Sequence, residues 1–376
     1  MIEAMEFTNF KALRKTTLPL APFTLLLGPN GSGKTSVLQA LQGIAALAAT
    51  QLRAEQAKVK DLQALQGIAA LATQAGLAAT QAGLPLHAHL NWASCRSITA
   101  EDRTAPIEIK LRLRRDEQSI IAVFHWQWDL APLTFNHANG TNLPPGDAQV
   151  KVLLEWLGRM QVYALDFSAI AQPAQVNAGP LQRNGAGLAA VLDDLKDNYP
   201  DRWELLLAEM RRWLPEYDHI LFDKPQAGSK AIVLRTKKGG HRIPASALSQ
   251  GTLVALALLT LAYLPNPPSL MGLEEIDRGL HPRLLRHLQD ALYRLSYPEN
   301  YGELRPPTQV IATTHSPYLL DLYREHPEEI VLAQKEGLEV QMKRLADIEH
   351  YDEILGDAPL GEVWYSGILG GVSVKP

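Results

Sequence analysis

The sequence predicts an α/β fold with a mixed central sheet, and three observations carry that prediction. An apolar run, Phe23 to Leu27, feeds a glycine-rich turn and then a helical pattern from Ser36 to Leu41, the strand–loop–helix order of a buried parallel strand. Two further apolar runs, Leu270 to Leu273 and Gln309 to Thr313, each end in polar residues able to do chemistry. Residues 106–129 alternate apolar and polar positions, which adds an antiparallel β subdomain to the same chain.

The chain has 376 residues, enough for one large or two ordinary domains. Apolar residues make up 46% and charged residues 20%, so the chain folds rather than staying disordered. The single cysteine, Cys95, excludes an intrachain disulfide and a cysteine-based zinc site, and it suits a reducing, cytoplasmic location. The opening residues, Met1 to Glu6, carry acids and no apolar core, unlike a signal peptide. The richest apolar run, Thr252 to Leu264, is too short to cross a bilayer, so no membrane partner is expected. A net charge of −4 gives no global attraction to nucleic acid; a local basic patch keeps DNA open as a partner.

Gly28-Pro29-Asn30-Gly31-Ser32-Gly33-Lys34-Thr35 fits G-x-x-x-x-G-K-[ST]. Glycines let backbone N–H groups close around a phosphate, and the following helix adds the partial positive charge of its N-terminus. Lys34 is placed to bridge β- and γ-phosphates and Thr35 to hold Mg²⁺, so Gly28 through Ser36 are the expected nucleotide contacts.

Taken in order, residues 2–8 read as a strand and Asn9 to Arg14 as a turn, with Lys11 or Arg14 either near the nucleotide or simply solvated. After the loop helix, Leu38 to Ala48 recurs as Leu62 to Ala72, and Ala72 to Leu77 recurs as Ala79 to Leu84. In one unbroken helix the second long copy would be rotated by roughly 120°. A helical hairpin turning near Lys58 to Asp61 lets both copies bury the same face, giving a duplicated helical insertion over about residues 38–90. In the alternating stretch, Ile107, Ile109, Leu111 and Leu113 share one face and Lys110, Arg112 and Arg114 the other, a stripe that is either solvated or phosphate-facing. Ser119 to Trp128 is the return strand, with Arg115 to Gln118 as the turn, and residues 130–147 read as loop. Val150 to Met160 is helical, Gln161 to Phe167 a strand, and Gln172 to Gly187 a loop. Helices follow over Leu188–Leu195 and Trp203–Leu214, the second starting at Pro200-Asp201. His219–Phe222 and Ala231–Arg235 are strands, and Lys237 to Gly240 turns a hairpin that ends near Ile243.

Three later stretches bear on chemistry. Leu248-Ser249-Gln250-Gly251-Thr252 opens an apolar helix, a second anion-binding helix start. The strand from Leu270 ends in Glu274-Glu275, adjacent carboxylates that are costly unless a cation or water uses them. Glu274 suits Mg²⁺ through water, and Glu275 suits polarising an attacking water. Gly279 to Pro282 turns into a helix carrying Leu284, Leu285 and Leu288. The strand ending Thr313-Thr314-His315-Ser316-Pro317 places His315 at its tip, where it is expected to reach a γ-phosphate or the attacking water.

This order of motifs resembles the ABC-type ATPase head, a P-loop NTPase, and in particular the RecF, SMC and OLD branch with its stand-alone AAA/OLD-like members. The likeness extends to Asn9-Phe10-Lys11, Arg183 to Leu188, Gly279 to Pro282 and the closing Gly361 to Gly371. It implies a single head over residues 1–376. Residues 1–166 form a lobe with the phosphate loop and β subdomain, 167–250 a helical signature lobe, and 251–376 the two-acid strand, switch histidine and C-terminal cap. It implies ATP and Mg²⁺ as cofactors, with Lys34, Glu275 and His315 catalytic and Thr35 and Glu274 at the metal. Ser249 and Gly251 become signature residues serving ATP held by a second protomer. The usual acid-acid-Pro-Glu reads Glu274-Glu275-Ile276-Asp277 here, and Gln250 and Thr252 stand where transporters carry glycine and glutamine. Gln127 and Gln172 are both candidates for the glutamine loop.

The resemblance implies an ATPase that forms a homodimer or higher homo-oligomer by sandwiching ATP. The insertion is too short for an SMC arm, and the stretch after His315 is too short for a TOPRIM nuclease domain. An effector in trans is therefore expected, a nuclease for instance, in DNA repair or phage defence. Three alternatives stand beside it: a transporter's nucleotide-binding subunit, a small-molecule kinase, and a regulatory scaffold with slow turnover.

Overall fold

The computed structural model describes residues 1–56, 106–115, 118–126, 133–176, 179–337, 339–356 and 358–367. The second repeat copy, the expected hairpin turn at Lys58–Asp61, the Ala72–Leu84 repeat, Gln127 and the closing Ile368–Gly371 lie outside the described residues.

Strands β1 (Ile2–Phe10), β2 (Leu13–Pro19) and β3 (Phe23–Leu27) lead to helix α1 (Lys34–Gln56). Then come β4 (Ile107–Arg115), β5 (Gln118–Trp126), β6 (Thr134–His137), β7 (Asn142–Leu143), α2 (Ala148–Gly158) and β8 (Gln161–Tyr163). The middle of the chain holds α3 (Phe167–Ile170), β9 (Ala174–Gln175), α4 (Leu188–Asn198), α5 (Pro200–Trp213), β10 (Tyr217–Asp223), β11 (Ser229–Thr236) and β12 (Arg242–Pro244). The remainder is α6 (Gln250–Ala262), β13 (Leu270–Leu273), α7 (Leu285–Ser296), β14 (Gln309–Thr313), α8 (Pro317–Asp321), β15 (Ile330–Glu336), β16 (Glu339–Arg344), α9 (Tyr351–Leu355) and α10 (Leu360–Tyr365). The chain divides into two compact units, one of Met1–Gln161 with His326–Pro376 and one of Val162–Glu325.

In the first unit, β2-β1-β4-β5-β6-β7 form an antiparallel sheet. Phe7 stands opposite Thr16 on one side and Ile109 on the other. Ile107, Ile109, Leu111 and Leu113 are buried, as their alternation predicts. The cations on the other face each pair with an acid. Lys110 pairs with Glu108 at 2.9 Å, Arg112 with Glu6 at 2.8 Å and Arg114 with Glu3 at 3.2 Å. The same unit pairs β3 parallel with β15, and β15 antiparallel with β16, the mixed arrangement expected. All five residues of β3 are buried. Helix α1 buries Val37, Leu38, Leu41, Ile44 and Ala48. A side chain on Gly158 of α2 would meet the Ala49 backbone at 3.4 Å, so the two helices pack close.

In the second unit, β13 and β14 run parallel, with Gly272 opposite Ile311, and both strands are buried throughout. Helix α6 is buried on all sides from Thr252 to Ala262, which explains its strongly apolar sequence. β10, β11 and β12 form a small antiparallel sheet, with β9 added against β11. Helix α5 starts with Pro200 in its first turn and buries Trp203, Leu206, Met210 and Trp213.

The structure redraws three local boundaries. The turn after β1 is confined to Lys11-Ala12, and Leu13 starts a strand the alternation does not announce. The signal is masked because its inward position Thr16 is polar; that hydroxyl is buried and donates to the Val340 carbonyl at 2.8 Å. Within 130–147, β6 and β7 form by pairing alongside β5, with Phe135 opposite Ala122, rather than by any periodicity of their own. The strand expected to reach Phe167 stops at Tyr163, because Asp166 caps α3 by accepting the Ala169 N–H at 2.9 Å.

Candidate functional site

Gly28 to Ser36 belong to the first unit, and Ser249, Gly251, Glu274, Glu275 and His315 to the second. The loop between β3 and α1 wraps its own lysine. Lys34 is 8% exposed, and its ammonium donates to the Gly28 carbonyl at 2.7 Å and the Pro29 carbonyl at 3.0 Å. Gly33 has φ +88, and a side chain there would also strike Leu13 Cδ2 at 2.5 Å. Asn30, Gly31 and Thr35 are exposed, while Ser32 and Gly33 are buried. A Cβ at Gly28 would lie 2.4 Å from the Ala333 carbonyl, so glycine there brings β15 hard against the loop. This glycine cradle around a buried ammonium fits a polyphosphate. Lys11 is not a loose cation; it donates to Gln39 on α1.

The two acids follow β13 directly. Glu274 donates its N–H to the Tyr163 carbonyl at 2.9 Å, and its carboxylate lies 3.5 Å from Arg183. Glu275 has φ +48, a left-handed backbone that costs a residue other than glycine about 1–2 kcal/mol. The next strand holds it there: the Glu275 N–H donates to Thr313 Oγ1 at 2.9 Å, and the Ile276 N–H to the Thr313 carbonyl at 3.1 Å. The turn closes with Arg278 N–H on the Glu275 carbonyl at 3.0 Å and Leu280 N–H on the Asp277 carbonyl at 3.0 Å. The Glu275 side chain is 48% exposed, with Arg278 at 3.7 Å from its carboxylate. His315 follows β14 and is exposed.

The helix start at 249–252 is organised by its own side chains. Ser249 caps α6, accepting the Thr252 N–H at 3.1 Å and sharing a hydrogen bond with the Thr252 hydroxyl at 2.7 Å. Thr252 therefore orients the serine. Gly251 is required by packing, because a side chain there would meet the Gly279 carbonyl at 2.5 Å. That contact presses the start of α6 against the turn after the acids. Glu274 and Glu275 line a cleft of about 40 Å³ together with Tyr163, Asp166, Phe167 and Gln250. The second unit thus brings the acid turn and the start of α6 together. Gln172 does not join them; its amide donates to the Ser168 carbonyl of α3.

Sequence reading assigned no role to Thr313, Thr314 or Arg183, although all three support the acid turn or its neighbours. Arg183 and Thr314 stood inside stretches that carry the resemblance, and Thr313 just before one, but nothing in the sequence showed what their polar groups hold. Among the described residues no group of three or more His, Cys, Asp and Glu forms a metal cluster, and no helix is long and apolar enough to cross a membrane. A Thr35 hydroxyl and a Glu274 carboxylate are hard oxygen donors of the kind Mg²⁺ takes alongside phosphates and water.

A model of the family described as "AAA domain, putative AbiEii toxin, Type IV TA system" matches residues 115–321, and one described as "AAA ATPase domain" matches residues 1–84. The OLD nuclease of Thermus scotoductus is 44% identical over 41 residues, which are 11% of this chain and 8% of that protein. The chain thus aligns with only a small part of that relative's length. The SMC head domain from Thermotoga maritima is similar with a TM-score of 0.48 and 14% identity, over 91% of this chain and 98% of that one. The recombination mediator protein RecF, from a structure titled RecF-ATPrS in the RecFOR pathway, gives a TM-score of 0.43 and 12% identity over 91% and 98%. With its phosphate loop, two-acid turn and a family match over more than half its length, the chain belongs to the AAA family of ATPase domains described as "AAA domain, putative AbiEii toxin, Type IV TA system".

Proposed function

We propose that the chain hydrolyses ATP to ADP and phosphate, dimerises head to tail around ATP, and uses that cycle to gate an effector in trans. The observation that carries the hydrolysis reading is the acid turn: Glu275 is held in a left-handed backbone from outside the turn while its carboxylate stays exposed. When bound, Mg-ATP supplies the electrophilic γ-phosphorus and the metal charge that offsets the developing negative charge. Gly28 to Ser36 hold the phosphates with backbone N–H groups, and Lys34 exchanges its carbonyl partners for β- and γ-oxygens. Thr35 supplies a hydroxyl and Glu274 a carboxylate to Mg²⁺. Glu275 accepts a proton from a water, whose oxygen bonds to the γ-phosphorus as the bond to the β–γ bridging oxygen breaks and ADP leaves. His315 donates to the γ-phosphate oxygens.

In this reading Ser249 and Gly251 serve ATP held by a second protomer, so ATP stabilises the dimer and hydrolysis releases it. The effector we infer is a partner protein such as a nuclease, acting in phage defence or DNA repair, with DNA as a further partner. The test is Glu275→Gln on a sizing column with light scattering. With Mg-ATP the variant runs as a stable dimer while the wild type returns to monomer as ATP is consumed. A variant that stays monomeric with bound ATP rules out the sandwich. Recovery of a specific protein or DNA on the trapped variant, identified by mass spectrometry, identifies what it drives.

A further inference from the structure

The two turns that carry Glu275 and His315 are joined by hydroxyl groups that have no part in the reaction above. Thr313 and Thr314, the last residue of β14 and the one after it, are 2% and 0% exposed. The Thr313 hydroxyl accepts the Glu275 N–H at 2.9 Å. The Thr314 hydroxyl donates to the Asp277 carboxylate and accepts the Ser316 N–H at 2.9 Å. Ser316 in turn caps α8, accepting the Leu319 N–H at 3.2 Å. An unbroken hydrogen-bonded path therefore runs from the acid turn through Thr314 to the turn around His315. Both threonines use their hydroxyls in a way valine, their isostere, does not reproduce.

We propose that Thr313 and Thr314 form a two-hydroxyl latch that sets the acid turn and the histidine turn in one fixed relation, making them positioning residues for hydrolysis. The latch rests on the hydrolysis reading only for its consequence. Its geometry belongs to this chain whether or not turnover follows. Asp277 has its use here as the acceptor of the Thr314 hydroxyl. The arrangement also explains why two buried threonines, rather than valines, precede His315: Thr313 holds the backbone of Glu275, and Thr314 holds the flank of the histidine.

The test uses the full chain and the variants Thr314→Val, Thr314→Ser, Asp277→Ala and the Thr314→Val/Asp277→Ala pair. Steady-state hydrolysis of Mg-ATP should show kcat lowered about 10- to 100-fold in Thr314→Val and in Asp277→Ala, the cost of a misplaced reacting group. KM should stay near the wild-type value, Thr314→Ser should keep most of kcat, and the pair should be no slower than the slower single variant. Wild-type kcat in Asp277→Ala, multiplicative losses in the pair, or a serine variant as poor as valine would overturn the latch. If Thr314→Val fails to fold, Asp277→Ala removes the same hydrogen bond from a partly exposed position and decides alone. A second readout needs no turnover: NMR signals of the His315 imidazole should shift in Asp277→Ala, and unmoved signals defeat the latch. A wild type that binds Mg-ATP without hydrolysing it, yet shows the shift, defeats the hydrolysis reading and leaves the latch standing.

Discussion

The carbonyls that hold the Lys34 ammonium lie five and six residues before it, whereas the hydroxyl that holds the Glu275 backbone lies 38 residues after it. The phosphate loop is a local object, shaped by glycines and by the helix it opens. The acid turn is imposed from outside: Thr313 fixes its backbone, Asp277 binds Thr314, and Gly279 presses on Gly251 of another helix. A local site is fragile to changes within a few residues. An imposed site is fragile to changes far along the chain, which makes its supports harder to read from motifs.

Breaking the chemistry of each region separates them most widely. Lys34→Ala should weaken ATP binding and turnover together, about 100- to 1,000-fold. Glu275→Gln should lower kcat by a similar factor or more while leaving binding intact. Equilibrium binding of a fluorescent ATP analogue beside steady-state kinetics distinguishes the two.

Glycine substitutions sharpen the contrast at the level of stability. Gly251→Ala drives a methyl group to within 2.5 Å of a backbone carbonyl that cannot rotate away, and should cost about 2–3 kcal/mol with a lower kcat. Gly33→Ala meets the far end of a leucine, which can move, so the left-handed backbone alone should remain, at about 1–2 kcal/mol. Adding Leu13→Ala should not recover that cost. Chemical denaturation of the three variants checks the ranking.

Away from both regions, Glu303 tests a charge network in the second unit. Burial alone would raise its carboxyl, but hydrogen bonds from Arg305 and Arg294, both at 2.6 Å, outweigh that and hold it below its ordinary value of 4.5. A depressed carboxyl stabilises the fold fully above the ordinary value and loses that contribution as pH falls through the lowered one. Glu303→Gln should therefore cost about 1 kcal/mol at neutral pH and flatten the decline of melting temperature below about pH 4.5. The smallest effect belongs to the paired stripe on β4. Arg112→Ala breaks an exposed ion pair with Glu6 and should change stability by less than about 1 kcal/mol.

Much of the fold was legible because the relevant signals are short. The runs that became β3, β13 and β14 are mostly apolar and buried from end to end, the hallmark of strands covered on both faces. The 106–126 hairpin alternates cleanly, and Pro200 marks a helix start. Strand β2 was missed because an inward threonine disguises its period, and β6 because it exists only as a partner to β5. The candidate site divides in the same way. Gly28 to Thr35 are recognisable as a contiguous pattern, and Glu274, Glu275 and His315 as polar residues ending apolar strands. The Ser249–Thr252 capping pair, the packing need behind Gly251 and the hydroxyls of Thr313 and Thr314 were not visible.

By itself, the sequence determined the phosphate loop and the order of the chemistry-bearing residues, since backbone conformation over a few residues follows from glycine, apolar runs and capping groups. Only the tertiary structure decided that residues 326–376 return to the first unit, that β15 lies beside β3, and that two threonines hold the acid turn. The physical reason is distance along the chain. A hydrogen bond spanning 38 residues leaves no periodicity behind it, and its partners are selected by the packing of β13 against β14 rather than by their neighbours in sequence.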